Sequence, residues 1–200
     1  MAKAREIDGL RADLPFADAA AATVAVRAEE LFEHAAGVLD ITDIERVHDM
    51  RVATRRLRAV LEIYAPCFPR ELFKPVLAEV KALADALGAR RDPDVLLDRL
   101  AGLEDVLPKA ARPGLEAFAA PAREEQARGN DVLEAALAEA ERANLRARLA
   151  ALAASATEPR VDAGVEAAPD GDGTERARAD AIATAGAAPA EASSADGAPA

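Results

Sequence analysis

The chain has 200 residues, a net charge of −11 and only 3% aromatic residues. That length suits one domain with its own core, or a domain plus a tail, and an Ala- and Leu-rich composition without turn-bounded β runs reads as all-α. One cysteine, Cys67, excludes an internal disulfide framework and fits a reducing compartment. No basic-then-apolar leader and no apolar run of membrane length appear, so a cytoplasmic protein with no membrane partner is expected.

Residues 1–13 are charged and small and read as a flexible N-terminus. From Leu14 to Leu39, Val24, Leu31, Val38 and Leu39 among alanines predict a first helix ending near Gly37–Asp40. Thr42-Asp-Ile-Glu45 has the form of a capping box and opens a second helix, which runs to Ala65 and stops at Pro66. Leu77, Val80, Leu83, Ala84 and Leu87 give a third helix, with Pro75 near its start and Gly88 as its C-terminal cap. Asp92-Pro93 reads as a restart, and Val95, Leu96, Leu97, Leu100 and Leu103 carry a fourth helix to Pro108. Arg112–Pro113 opens a last helical region, interrupted at Pro121 and continuing through Leu133, Leu137, Leu145, Leu149 and Leu152. Short connections make neighbours antiparallel, so residues 14–154 are expected to form an antiparallel bundle of four to five helices. Residues 155–200 hold only Val161, Val165 and Ile182 as larger aliphatics among Ala, Gly, Pro, Ser and acids, and read as a disordered acidic tail.

The second helix carries the chemistry. In VHDMRVATRRLR, residues 47–58, His48, Arg51, Arg55 and Arg58 fall within a narrow wedge at 3.6 residues per turn, with Arg56 on its flank. Val47, Met50, Thr54, Leu57, Leu61 and Tyr64 occupy the opposite side as a buried stripe. The basic column spans about 15 Å. Of the four blocks 1–44, 45–100, 101–154 and 155–200, only 45–100 is net positive, with 11 bases to 9 acids, and within Glu45–Val60 the ratio is 5 to 2. A local basic face on an acidic protein argues for a defined anion site.

The ordinary reading of such a stripe is a solvated helix face. Against it, the alternating acids that usually neutralise a stripe are missing: only Asp49 and Glu62 are near, Glu62 as an i, i+4 partner of Arg58. Like charges three and four apart destabilise a helix, so a compensating anion makes physical sense, and arginine forks suit a chain of phosphate oxygens. His48 heads the column, where a neutral imidazole could donate to phosphate. Glu45-x-x-His48 is half of a carboxylate-bridged metal motif, but the second half is missing and the neighbouring arginines repel a cation, so no metal and no other cofactor is expected. Phosphate-binding glycine loops, paired cysteines, a nucleophile elbow and an E-x-E-x-K signature are all absent. Nucleic acid is disfavoured because the basic helix lacks interleaved aromatics and the chain is acidic.

VHDMRVATRRLRAVLEIY followed by LADALGARRDPDVLLDRL resembles the CHAD family, named for a conserved histidine in an α-helical domain. The resemblance covers roughly residues 14–154. It implies a four-helix-bundle architecture, usually duplicated as two bundles facing each other across a basic channel, with binding of inorganic polyphosphate and often residence with polyphosphate granules; for this chain, binding without catalysis is expected. Its basic positions carry over to His48, Arg51, Arg55, Arg56, Arg58, Lys81 and Arg91, with Lys74, Arg90 and Arg123 as secondary positions. Nothing after Asp92 resembles the His-led helix of a second bundle, so this chain looks like a half-length member. Three arrangements follow: two chains pair as a homodimer that rebuilds the channel, the single face binds more weakly, or the product is degenerate. A symmetric dimer is the economical one. Two other function classes stay open: a His48-dependent phosphoryl-transfer or phosphohydrolase enzyme, and a scaffold that docks an acidic protein partner.

Overall fold

The structure, a computed structural model, describes residues 3–104 and 106–159. Among these residues it contains five α-helices and no strand: α1 Phe16–Glu33, α2 Ile44–Ile63, α3 Arg70–Glu104, α4 Arg112–Arg142 and α5 Leu145–Ala154. The all-α antiparallel bundle expected from the sequence is what forms. The tail reading falls, from residue 160 onward, outside the described residues.

The core is made where the apolar stripes of these helices meet. Val24 and Leu31 of α1, Met50, Leu57 and Leu61 of α2, Val80 and Leu87 of α3, and Leu145, Leu149 and Leu152 of α5 are all buried together, and α4 adds Leu133. The stripe predicted for the second helix is the one that is buried, except that Tyr64 is half-exposed and packs against Phe16 in a tilted pair with ring centroids 4.9 Å apart. Residues 155–159 stay on the bundle: the Thr157 amide donates to the Cys67 carbonyl at 2.9 Å, and the Ala17 amide donates to Glu158 at 2.9 Å.

Several local expectations are corrected. The first helix ends at Glu33, not near Gly37–Asp40, because the chain tightens into turns and Gly37 takes a left-handed φ of 71° that L side chains rarely adopt. The capping box does not form: the Thr42 hydroxyl and amide both donate to Asp40, at 2.7 and 2.9 Å, and Asp43 takes the N-cap position. The third and fourth helices are one helix, α3, which runs through Gly88 and Pro93 without a break.

Tertiary packing explains this continuity. Pro93 has no N–H to offer the Ala89 carbonyl four residues earlier, and that carbonyl lies against α4 at Gly129, where an added Cβ would stand 2.8 Å from the Ala89 oxygen. Beside it the fully buried Arg90 pairs with the fully buried Asp94 one turn on, and Asn130 and Gln126 of α4 hydrogen-bond to Arg90 and Asp94 at 3.2 and 2.7 Å. The long hairpin of α3 and α4 is thus joined by a polar core at the point where local signals predict a helix end. Pro121 likewise leaves α4 unbroken. The break comes at Asn144, whose φ of 53° separates α4 from α5.

Candidate functional site

Burial of the apolar stripe of α2 against α1 and α3 turns its opposite side outward. Arg55 and Arg58 are exposed, and His48, Arg51 and Arg56 are half-exposed. A groove of about 450 Å³ runs along this side, lined by Val52, Arg55, Arg56, Arg58, Ala59 and Glu62. The groove takes in Arg55, Arg56 and Arg58, the C-terminal part of the column read from the sequence, while His48 and Arg51 lie outside its lining.

α3 runs antiparallel beside it and closes both ends. At the C-terminal end, the Glu62 carboxylate accepts from Arg58 Nε at 3.0 Å and from Lys81 Nζ at 3.4 Å through the same oxygen, Oε1. Loss of solvent pushes the Glu62 carboxyl up, but the hydrogen bonds and charges of Arg58 and Lys81 outweigh it and hold the group below its ordinary range. At the N-terminal end, Arg91 donates to the Ile44 carbonyl at 3.0 Å and stands 3.8 Å from Glu45. Between Lys81 and Arg91 the same face of α3 carries Ala84 and Gly88, and a Cβ added at Gly88 would meet no atom within 4 Å. Small residues keep the space between the two bases open.

The middle of the column is the part without internal compensation: Arg51 and Arg55 have no ion-pair partner among the described residues. Arg56 differs. Its charge acts on Glu30 of α1, a buried carboxylate that also receives Arg27. Desolvation raises the Glu30 carboxyl, and Arg27, the Arg5 amide and Arg56 together bring it below its ordinary value. Arg56 thus lines the groove while its charge also acts, more weakly than that of Arg27, on a buried acid.

Of the secondary positions, Lys74 is exposed two turns before Lys81 on α3. Arg90 is buried in the contact with α4 and is not part of the face. Arg123 lies on α4, bound to Glu116 at 3.0 Å, in a separate groove of about 790 Å³ that also includes Leu97, Leu100 and Arg112. Glu45, His48 and Asp49 bring donor atoms within 4.8 Å of one another. Glu45 lies in the first turn of α2, where the helix dipole favours a carboxylate, and stands 3.8 Å from Arg91. The Lys81–Glu62 link escaped sequence reasoning because it depends on the register of α3 against α2. The Arg90–Asp94 pair had an i, i+4 signal that could have been read.

Fold and face together define an all-α bundle that presents an arginine column bounded by two acid–base clasps. The chain belongs to the CHAD domain family, which matches residues 22–198. The match thus extends past the bundle into residues 160–198, outside the described residues. No curated protein matches the chain. No helix among the described residues is long and apolar enough to cross a membrane.

Proposed function

We propose that this chain binds inorganic polyphosphate along the outward side of α2, without catalysis, and that this binding recruits it to polyphosphate granules. The observation that carries the reading is the pair Arg51 and Arg55, two adjacent uncompensated guanidinium groups leading into a groove that Arg56 and Arg58 also line. Arginine forks give charge-assisted, bidentate hydrogen bonds to phosphate oxygens, and their spacing along the helix suits a repeating anion better than a single one. Membership of the CHAD family, which is linked to polyphosphate binding, points the same way. Affinity should fall steeply with salt as each phosphate contact releases a counterion.

The test is titration of long-chain polyphosphate into the protein and into an Arg51→Ala/Arg55→Ala double variant, at two salt concentrations, with helicity followed by circular dichroism. The double variant is expected to lose binding and keep its helical signal. Binding by the double variant as strong as the parent's would remove the column as the site. The enzyme reading has one specific support, the carboxylates of Glu45 and Asp49 beside His48, and predicts turnover that disappears in His48→Ala. A binder predicts only weaker affinity for that variant.

A further inference from the structure

We propose that Glu62 is a built-in competitor for the anion: its carboxylate holds Arg58 and Lys81, and a polyphosphate chain must take both bases from it to bind along the full column. This inference rests on the polyphosphate reading and names the residue that limits it.

The geometry has three parts. First, a single oxygen, Glu62 Oε1, serves cations from two helices, Arg58 Nε at 3.0 Å and Lys81 Nζ at 3.4 Å. A phosphate oxygen bridging the two helices would need that same position. Second, Glu62 lines the groove together with Arg55, Arg56 and Arg58, so its charge opposes an anion at the place where basic side chains are densest. Third, the two ends of the column differ. Arg91 is largely buried and committed to a main-chain carbonyl, whereas Arg58, Lys81 and Glu62 are all more than two-fifths exposed and free to exchange partners.

Tethering decides which anions succeed. Glu62 sits one helical turn from Arg58, so its effective concentration at the two bases is high and a small anion arriving from solution competes at a disadvantage. A chain already held at Arg51 and Arg55 is itself tethered beside the clasp and competes on comparable terms. Glu62 therefore makes full engagement conditional on prior attachment at the middle of the column. Neutralising it should tighten binding and raise the number of bases that answer the anion, and hence the salt slope.

Long-chain polyphosphate is titrated into the full chain and into Glu62→Gln at three salt concentrations. Glu134→Gln, a charge-matched change at an exposed α4 position, serves as control. Glu62→Gln is expected to bind about three- to tenfold tighter, as loss of a competing exposed ion pair allows, with a log–log salt slope steeper by about one. Glu134→Gln should stay within about twofold of the parent, the scale of a remote surface charge. In a Lys81→Met background most of the Glu62→Gln gain should vanish. If the parent binds but Glu62→Gln binds no tighter than Glu134→Gln, the competitor role is overturned and the polyphosphate reading stands. Failure of both parent and Glu62→Gln to bind at low salt overturns the two together.

Discussion

Arg91 on α3 donates to the carbonyl of Ile44, the first residue of α2, at 3.0 Å. A guanidinium that the family resemblance leads us to expect among the ligand-binding bases is thus bound to the backbone at the start of the helix that carries the column. It also stands 3.8 Å from Glu45 in the same turn. Its fork geometry lets one side chain serve a carbonyl and a carboxylate together, which lysine cannot reproduce. Arg91 therefore positions α2 against α3. Arg91→Ala is expected to cost about 1.5–3 kcal/mol of stability, the scale of a hydrogen bond to a charged group, measured by urea unfolding. Arg91→Lys should recover only part of it. Polyphosphate affinity, measured well below the unfolding midpoint, should fall far less than in Arg51→Ala/Arg55→Ala.

Two glycines on the α3–α4 hairpin should respond in opposite directions. Gly88 lies inside α3 with open space where a Cβ would go, so Gly88→Ala should stabilise by about 0.5–1 kcal/mol through helix propensity alone. At Gly129 a Cβ would stand 2.8 Å from the Ala89 oxygen and 3.0 Å from the Arg90 Cα, both backbone atoms that cannot step aside. Gly129→Ala should therefore destabilise by about 1–3 kcal/mol, the range for overpacking. Thermal unfolding of the two variants checks both signs. A stability loss in Gly88→Ala would mean that the residue caps a helix after all.

Arg90 and Asp94 test the buried polar join. Both are fully buried, and while Arg90 Nη1 pairs with Asp94 Oδ1, Arg90 Nη2 and Asp94 Oδ2 have no hydrogen-bond partner among the described residues. Removing one partner leaves an uncompensated buried charge, so Arg90→Ala or Asp94→Ala should each cost about 3–5 kcal/mol. The apolar double change Arg90→Met/Asp94→Leu should cost less than either single change, because it removes both desolvated charges together. Urea unfolding of the three variants gives the comparison, and additive losses would contradict it. The double variant should bind polyphosphate like the parent, since neither side chain reaches the face.

What could be read from the sequence was what depends on one helix alone. The alternation of Val47, Met50, Leu57 and Leu61 fixes which side of α2 is buried, and the arginines on the other side follow from 3.6 residues per turn. The misreadings occur where a partner helix overrides a local rule. Gly88 and Asp92-Pro93 carry strong punctuation signals, yet α4 crosses at Ala89–Arg90 through Gly129 and holds α3 continuous there. Thr42 turns to Asp40 and so cannot complete its box with Glu45. The partnership of Glu62 with Lys81, and that of Arg56 with Glu30, join residues 19 and 26 apart in sequence and depend on how helices align. A single sequence gives the column its direction, and only the packed bundle shows which of its bases are already engaged.

Glu30 makes the coupling between the column helix and α1 measurable through pH. The carboxylate is buried in α1, faces Arg27 and the Arg5 amide, and feels Arg56 across the helix interface. Burial raises its carboxyl, the positive groups outweigh burial, and the folded value lies below the ordinary 4.5. A carboxyl that is more acidic folded than unfolded binds fewer protons in the native state. Its contribution to stability is therefore complete above the ordinary value and is lost as pH falls through the depressed folded value. Stability followed by urea unfolding should decline as pH drops below about 4.5, and Glu30→Gln should lower stability at neutral pH and flatten that acid limb. Glu62 titrates in the same direction, so Glu62→Gln is the necessary comparison: at an exposed position it should alter the limb less than Glu30→Gln does. An acid limb unchanged in Glu30→Gln would show that Arg27 and Arg56 do not gain their stabilising role from this buried charge.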